Sequence, residues 1–289
     1  MTGEGGRVDL AAVGAVGGFF ALRTGAVDGP AGPGAHGGAY IPLAQIYAGD
    51  IAPLSARVDA VAAKLGAPER RIAASVAQLG LAARLWSVAL GSAALHGEVP
   101  DLDPARLFWD PRGSSPDDLR LPEPRAFPAT EGTSGAGTGP SAATRTGAGT
   151  GPGAATGNTP EAPLTDLAAA VREVVQYGHL VPLAAALRAD GRISPALLWG
   201  NAGSALAGAV RELRVWSRRA GRPDVDERAG AIGAALFAHP DLRSTGVTRD
   251  GSFRRRSCCL YYRCPSGGLC GDCVFDRPPQ RPSPREVSG

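Results

Sequence analysis

"RRRSCCLYYRCPSGGLCGDC", residues 254–273, holds all five cysteines of a 289-residue chain. Cys258 and Cys259 are adjacent, ten residues separate them from Cys270, and Gly271-Asp272 separates Cys270 from Cys273. Cys264 lies between the two pairs. Disulfide staples do not account for this pattern: five is odd, no credible signal peptide precedes it, and the long cysteine-free remainder needs no covalent support. Core packing does not account for it either, because buried cysteines occur singly rather than packed together among Arg and Gly.

Metal binding fits the spacing. A C-x-x-C turn presents two thiolates to one ion, its glycine relaxes the turn, and backbone N–H groups there can point at sulfur. A hairpin returning 258/259 to 270/273 completes four ligands, and either structural zinc or a [2Fe–2S] cluster can use such a set. The adjacent pair favours the larger group. In a regular strand Cys258 and Cys259 would point to opposite faces, so the backbone must turn or distort for both to serve one site. The spacing alone leaves both metals open.

Outward from this stretch, the composition is that of a folded protein with unfolded parts. Hydrophobic residues make up 44%, while Gly (41) and Pro (25) are abundant. The formal charge is only +3, which gives no global field for nucleic acid. Residues 10–22, "LAAVGAVGGFFAL", are short and apolar, but Glu4 and Asp9 stand where a leader would be basic, and no A-x-A site follows. They read as a helix running into a strand. The apolar stretch 72–95 carries Arg84 near its middle, and a central charge in a membrane costs about 2.5–3.5 kcal/mol. A soluble, cytoplasmic protein is the expectation.

Along the chain, 6–17 reads as a helix and "GGFFALRTG" as a strand. Residues 25–38 read as turns, and "AYIPLAQIYAG" as a second extended or loop segment. Ser55 is an expected N-cap and Gly66 a stop. Pro68 opens a long helix to about residue 95, buried on most sides. Residues 100–128 are punctuated by proline. Residues 129–163 contain no aromatic or large aliphatic side chain and read as a disordered insertion. Thr165 is expected to cap a helix to about 177, with a break near Gly178 and a continuation to 189. Ser194-Pro195 starts a helix to about 219 whose small residues, Gly200 and Gly203 among them, would let a neighbour approach closely. Asp224 or Asp226 caps a last helix to about 238, and 246–277 reads as short strands and turns. The fold class is α+β, mostly helical: a helical scaffold with a few short strands and a C-terminal cysteine-rich hairpin. The expected units are 1–128, the insertion, a helical half at 164–245, the cysteine segment 246–277, and a disordered tail at 278–289.

"FRRRSCCLYYR" followed by "GGLCGDCVF" resembles the C-terminal signature of the ferric siderophore reductase family, the FhuF-like proteins, whose hallmark is C-C-x10-C-x-x-C. Residues 71–90, 99–102 and 197–209 resemble core segments of the same family. The resemblance implies a [2Fe–2S] cluster on Cys258, Cys259, Cys270 and Cys273. It also implies one-electron reduction of ferric siderophores of hydroxamate type, releasing Fe(II), with an external electron donor such as a ferredoxin or reductase. Cys264 departs from the expected pattern and is read as a small apolar substitute, or as a substitute ligand or oxidisable thiol. Arg254, Arg255, Arg256 and Arg263 flank the site, where positive charge would attract anions and raise a reduction potential. Tyr261, Trp199 and Asn201 are candidate neighbours of the cluster, with strand or helix packing as their alternative role. Asp272 is expected to face solvent. The rival readings are a zinc-stabilised interaction module and a [2Fe–2S] sensor or electron carrier without a siderophore substrate. No P-loop, dinucleotide fingerprint or nucleophile elbow is present.

Overall fold

The computed structural model describes residues 7–27, 40–128, 163–249 and 251–279. The expected insertion, apart from its last residue, lies outside this set, as do nearly all of the tail and most of the turn-rich segment 25–38.

The first described helix is the short α1, Leu10–Gly14, capped by Asp9, whose carboxylate accepts the N–H groups of Ala11 and Ala12. The expected strand over 17–25 shrinks to β1, Arg23–Thr24. Successive turns replace the rest: Phe20 N–H donates to Gly17 O, and the Phe20 ring tucks against Gly91, where a Cβ would meet it at 2.8 Å. The segment expected to be extended or loop from residue 39 is instead a two-residue strand β2, Ile41–Pro42, running directly into α2, Leu43–Tyr47.

Helix α3, Ala52–Leu65, starts earlier than its apparent cap. Ser55 lies inside it, and its hydroxyl accepts from Arg70 Nη2 at 2.6 Å instead of capping. Gly66 does terminate it, in the left-handed conformation that glycine adopts freely (φ 55°). Helix α4, Arg70–His96, follows, two residues after Pro68. It is long and apolar enough to cross a membrane by length and composition, but most of it is buried inside the protein. Trp86, Leu85 and Leu90 are fully enclosed, and each such side chain contributes about 1.5–3 kcal/mol by leaving water. Arg84 is enclosed as well. It donates to Asp118 at 3.1 Å and to the carbonyls of Gly18, Phe19 and Pro116, tying the N-terminal turns and the proline-rich loop to this helix.

That loop supplies β3, Phe108–Trp109, and β4, Leu119–Leu121. The four-stranded sheet has the order β1-β4-β3-β2, with β1 parallel to β4 and the other pairs antiparallel. The next helical stretch has no break at Gly178. Helix α5, Leu164–Val171, begins with Pro163, not Thr165, at its N-cap, and passes through a π-helical segment, Arg172–Leu180, into α6, Val181–Asp190. Pro182 has no N–H to give an i−4 carbonyl, and the wider spiral accommodates it: Val181 N–H reaches back to Gln176 O.

Helix α7, Pro195–Ala220, starts at the Ser194-Pro195 signal and packs along α4. Helix α8, Pro223–Ala238, has Arg222 at its N-cap, with Asp224 and Asp226 in its first turn, and the short α9, Pro240–Arg243, follows. The chain then forms an antiparallel hairpin, β5 (Gly246–Arg249) with β6 (Ser252–Arg255), which lies on α7 and leads into the cysteine segment. The architecture is a mostly helical α+β fold with the cysteines at its C-terminal end.

Candidate metal centre

The small residues of α7 make room for the hairpin. A Cβ on Gly200 would collide with Ser257 Oγ, and one on Gly203 would collide with Thr245. Glycine at both positions lets the end of β6 and the residues just after it, Arg255 to Ser257, lie against the helix backbone.

β6 ends at Arg255, so Cys258 and Cys259 fall outside regular strand geometry. The distortion their adjacency requires occurs one residue later, where Leu260 adopts the left-handed conformation (φ 69°). For a non-glycine residue this costs about 1–2 kcal/mol. Its N–H donates to Cys258 Sγ at 3.2 Å, and the Tyr261 N–H donates to Cys259 sulfur. A 3-10 turn, Tyr261–Arg263, then reverses the chain. Gly267 closes the return: a Cβ there would run into the Tyr261 carbonyl. At the second pair, Phe275 N–H points at Cys273 Sγ at 3.5 Å.

The turn brings Cys270 to Cys259, whose side chains hydrogen-bond to each other. Cys270 donates, so the Cys259 thiol is pushed down to about 6 and the Cys270 thiol is pushed well up. Burial raises the Cys258 thiol, and the N–H of Leu260 opposes it. Cys264 is buried, 1% exposed, beneath the 3-10 turn; its thiol is raised first by burial and then by the charge of Cys259. Among the described residues no three Cys, His, Asp or Glu side chains converge as they would on a single ion.

The candidate neighbours fall into two groups. Asn201 is fully buried and joins the site to the scaffold. Its Nδ2 donates to the carbonyl and hydroxyl oxygens of Ser75 on α4, at 2.9 and 3.0 Å, and the Ser75 hydroxyl donates to Cys259 O at 3.0 Å. Tyr261 contributes its backbone to Cys259, as above. Trp199 and Arg256 line a surface cavity of about 330 Å³ beside Ser257, with Arg256 exposed and its N–H on Thr245 O.

The four arginines divide similarly. Arg254 is an exposed strap to Asp276 and Val274 O, and Arg263 pairs with Glu69 at 2.6 Å. Arg255 is buried at 2% exposure, with its Nε and Nη1 unpartnered. Its charge favours the thiolates of Cys258, Cys259 and Cys270.

Asp272 does not face solvent. It is 8% exposed, and its carboxylate accepts from Ser204 Oγ at 2.6 Å and from Arg211 Nη1 at 3.4 Å, both on α7. Its carbonyl accepts the Arg255 N–H at 3.0 Å. The C-x-x-C turn is thereby fixed to both the helix and the hairpin. Sequence reasoning missed this because a lone acid in a turn looks solvated. Ser204, one turn beyond Gly200 on α7, was the available hint.

These features suit an anionic, sulfur-held group: thiols met by backbone N–H donors, Cys259 and Cys270 set side by side, and a buried cation with spare donors. The comparisons agree. Residues 255–275 match the family model described as the FhuF 2Fe-2S C-terminal domain. A curated relative, the ferric siderophore reductase of Escherichia coli (strain K12), is 34% identical over 104 residues. That match covers 33% of this chain and 37% of the relative's length. The C-terminal segment carries the 2Fe–2S domain signature, and the cofactor it points to is a [2Fe–2S] cluster.

Proposed function

We propose that the chain is a cytoplasmic ferric-siderophore reductase whose [2Fe–2S] cluster is held by Cys258, Cys259, Cys270 and Cys273. The observation that carries this reading is the return turn that sets Cys270 against Cys259 inside the segment matching the 2Fe–2S domain. The cluster, when bound, supplies a one-electron redox centre. Two thiolates on each iron need two pairs rather than one convergent set, and the chain supplies an adjacent pair and a C-x-x-C pair. Cys264 is left out: it belongs to neither pair and is buried, 1% exposed.

The protein's own residues supply rigidity and electrostatics. Asp272 anchors the C-x-x-C pair to α7, and Ser75, held by Asn201, anchors Cys259 to α4. Hydroxamate siderophores hold Fe(III) through hard oxygen donors, and Fe(II), with lower charge density, binds those donors weakly. One electron passed to the chelated Fe(III) gives Fe(II), which leaves the chelate. The electron comes from an external donor such as a ferredoxin or reductase.

The test is an anaerobic assay with a panel of ferric chelates, a limiting reductant and a trap for Fe(II). Wild-type protein should accelerate iron release from hydroxamate chelates over reductant alone, and Cys270→Ser should not. Failure of the wild-type protein to accelerate release from any chelate would refute the reductase assignment.

A further inference from the structure

Arg255 and Arg84 are the buried arginines among the described residues, and they are treated differently. Arg84 has a carboxylate, Asp118, and three carbonyl oxygens. Arg255 has one side-chain partner, the amide oxygen of Asn201, 2.5 Å from Nη2. Nε and Nη1 have no hydrogen-bond partner, and no carboxylate lies within ion-pair distance of Arg255 among the described residues. Asp272 joins Arg255 through its backbone, but its carboxylate is turned away to Ser204 and Arg211.

A guanidinium stays charged under all ordinary conditions. Burying one without an anion is unfavourable, and such a charge persists where something nearby compensates it. Geometry places Arg255 between the two cysteine pairs: its backbone N–H donates to Asp272 O inside the C-x-x-C turn, and its partner Asn201 leads through Ser75 to Cys259 O. Its position is fixed on the far side: Nη2 lies over Gly200, and Asn201 is itself held by Ser75. The guanidinium therefore keeps its place beside the cysteines without needing an ion pair.

We propose that Arg255 is the internal countercharge of the cluster site: it offsets the negative charge of the thiolate-held cluster and favours the form carrying one more electron. This rests on the reading of Cys258, Cys259, Cys270 and Cys273 as ligands to [2Fe–2S]. A fixed positive charge in a poorly solvated place stabilises added negative charge strongly. Arg255 is the buried member of the run 254–256; the exposed Arg254 and Arg256 are screened by solvent.

The test uses the full-length, cluster-loaded protein and three variants: Arg255→Met, Arg255→Gln and Arg255→Lys. Each is analysed for iron and sulfide, then titrated anaerobically against redox dyes while visible bleaching reports the reduced fraction. At a fixed solution potential, Met and Gln should lower the reduced-to-oxidised ratio about tenfold or more, and Lys by less than about threefold. Loss of the cluster from Met and Gln but not from Lys would also support the countercharge, since charge would then be needed to assemble the site. Ratios within about twofold of wild type in cluster-loaded Met or Gln would overturn the proposal. So would Lys behaving like Met, whether in ratio or in cluster loss, because charge would not then be the operative property. Wild-type protein without iron and sulfide would instead refute the ligand assignment, so the two failures are distinguishable.

Discussion

Asp272 and Ser204 meet at 2.6 Å between the C-x-x-C turn and helix α7, burying a carboxylate that the sequence places in an apparently open turn. A hydrogen bond to a charged group contributes about 1.5–3 kcal/mol, and an unsatisfied buried acceptor costs a similar amount. Asp272→Ala removes the acceptor and frees the turn from the helix. It should destabilise the protein by about 2 kcal/mol and speed loss of iron to a chelator. Ser204→Ala should do the same to a smaller extent. Chemical denaturation and timed iron release measure both. Unchanged stability and release in Asp272→Ala would show that the contact is idle.

The close approach of the hairpin to α7 depends on glycine. Gly200→Val puts branched carbon atoms where Ser257 and Arg255 lie, and Gly203→Val puts them against Thr245 and Phe253. Overpacking of this kind costs about 1–3 kcal/mol. The collisions fall on the hairpin that leads into the cysteine segment, so visible absorbance per protein should fall more than helical content by circular dichroism. Equal retention of both signals would contradict the packing.

His179 offers a test away from the metal centre. It is fully buried in the π-helical segment, with Nε2 2.6 Å from Leu102 O and Nδ1 3.0 Å from the Tyr47 hydroxyl. Burial is the main cause that pushes its pKa down to about 4, against about 6.5 when unfolded. The folded value is the lower one, so the unfolded chain binds the proton first as pH falls. Stability from this group is complete above about pH 6.5 and is lost progressively toward pH 4, by up to about 3 kcal/mol. His179→Gln should flatten the fall in melting temperature between pH 7 and 5. An identical slope in wild type and variant would contradict the buried neutral state.

The ligand set separates Cys264 from its neighbours. Cys264→Ser should keep the visible spectrum, because the side chain packs beneath the turn. Serine at Cys258, Cys259, Cys270 or Cys273 should abolish or shift it. A spectrum lost in Cys264→Ser and kept in any of the others would require a different set of four.

Much of this was legible in sequence, and the misses have definite causes. The long helices announce themselves through apolar spacing and through Gly66 and Pro195, because those signals act within one or two turns. The strand expected around Phe19 and Phe20 failed because Gly17 and Gly18 favour turns, and because Gly91, far away in sequence, provides the slot for Phe20. The π-helical segment went unseen: Gly178 suggested a stop, while Pro182 instead imposed a change of spiral. At the metal centre the cysteines and their spacing were plain. The clamp on Asp272, the relay from Asn201 through Ser75 to Cys259, and the burial of Arg255 were not, since each depends on contacts across more than 50 residues. "RRRS" reads as a basic run, and only strand alternation in β6, with Arg254 outward and Arg255 inward, separates its members.

The most direct test of the account is the visible and electron paramagnetic resonance spectrum of anaerobically purified protein, before and after dithionite, with iron and sulfide analysis. The expected result is a brown protein with two irons and two sulfides per chain, whose charge-transfer bands bleach and whose reduced form gives a spin-one-half signal. A colourless protein with stoichiometric zinc and no sulfide would contradict it.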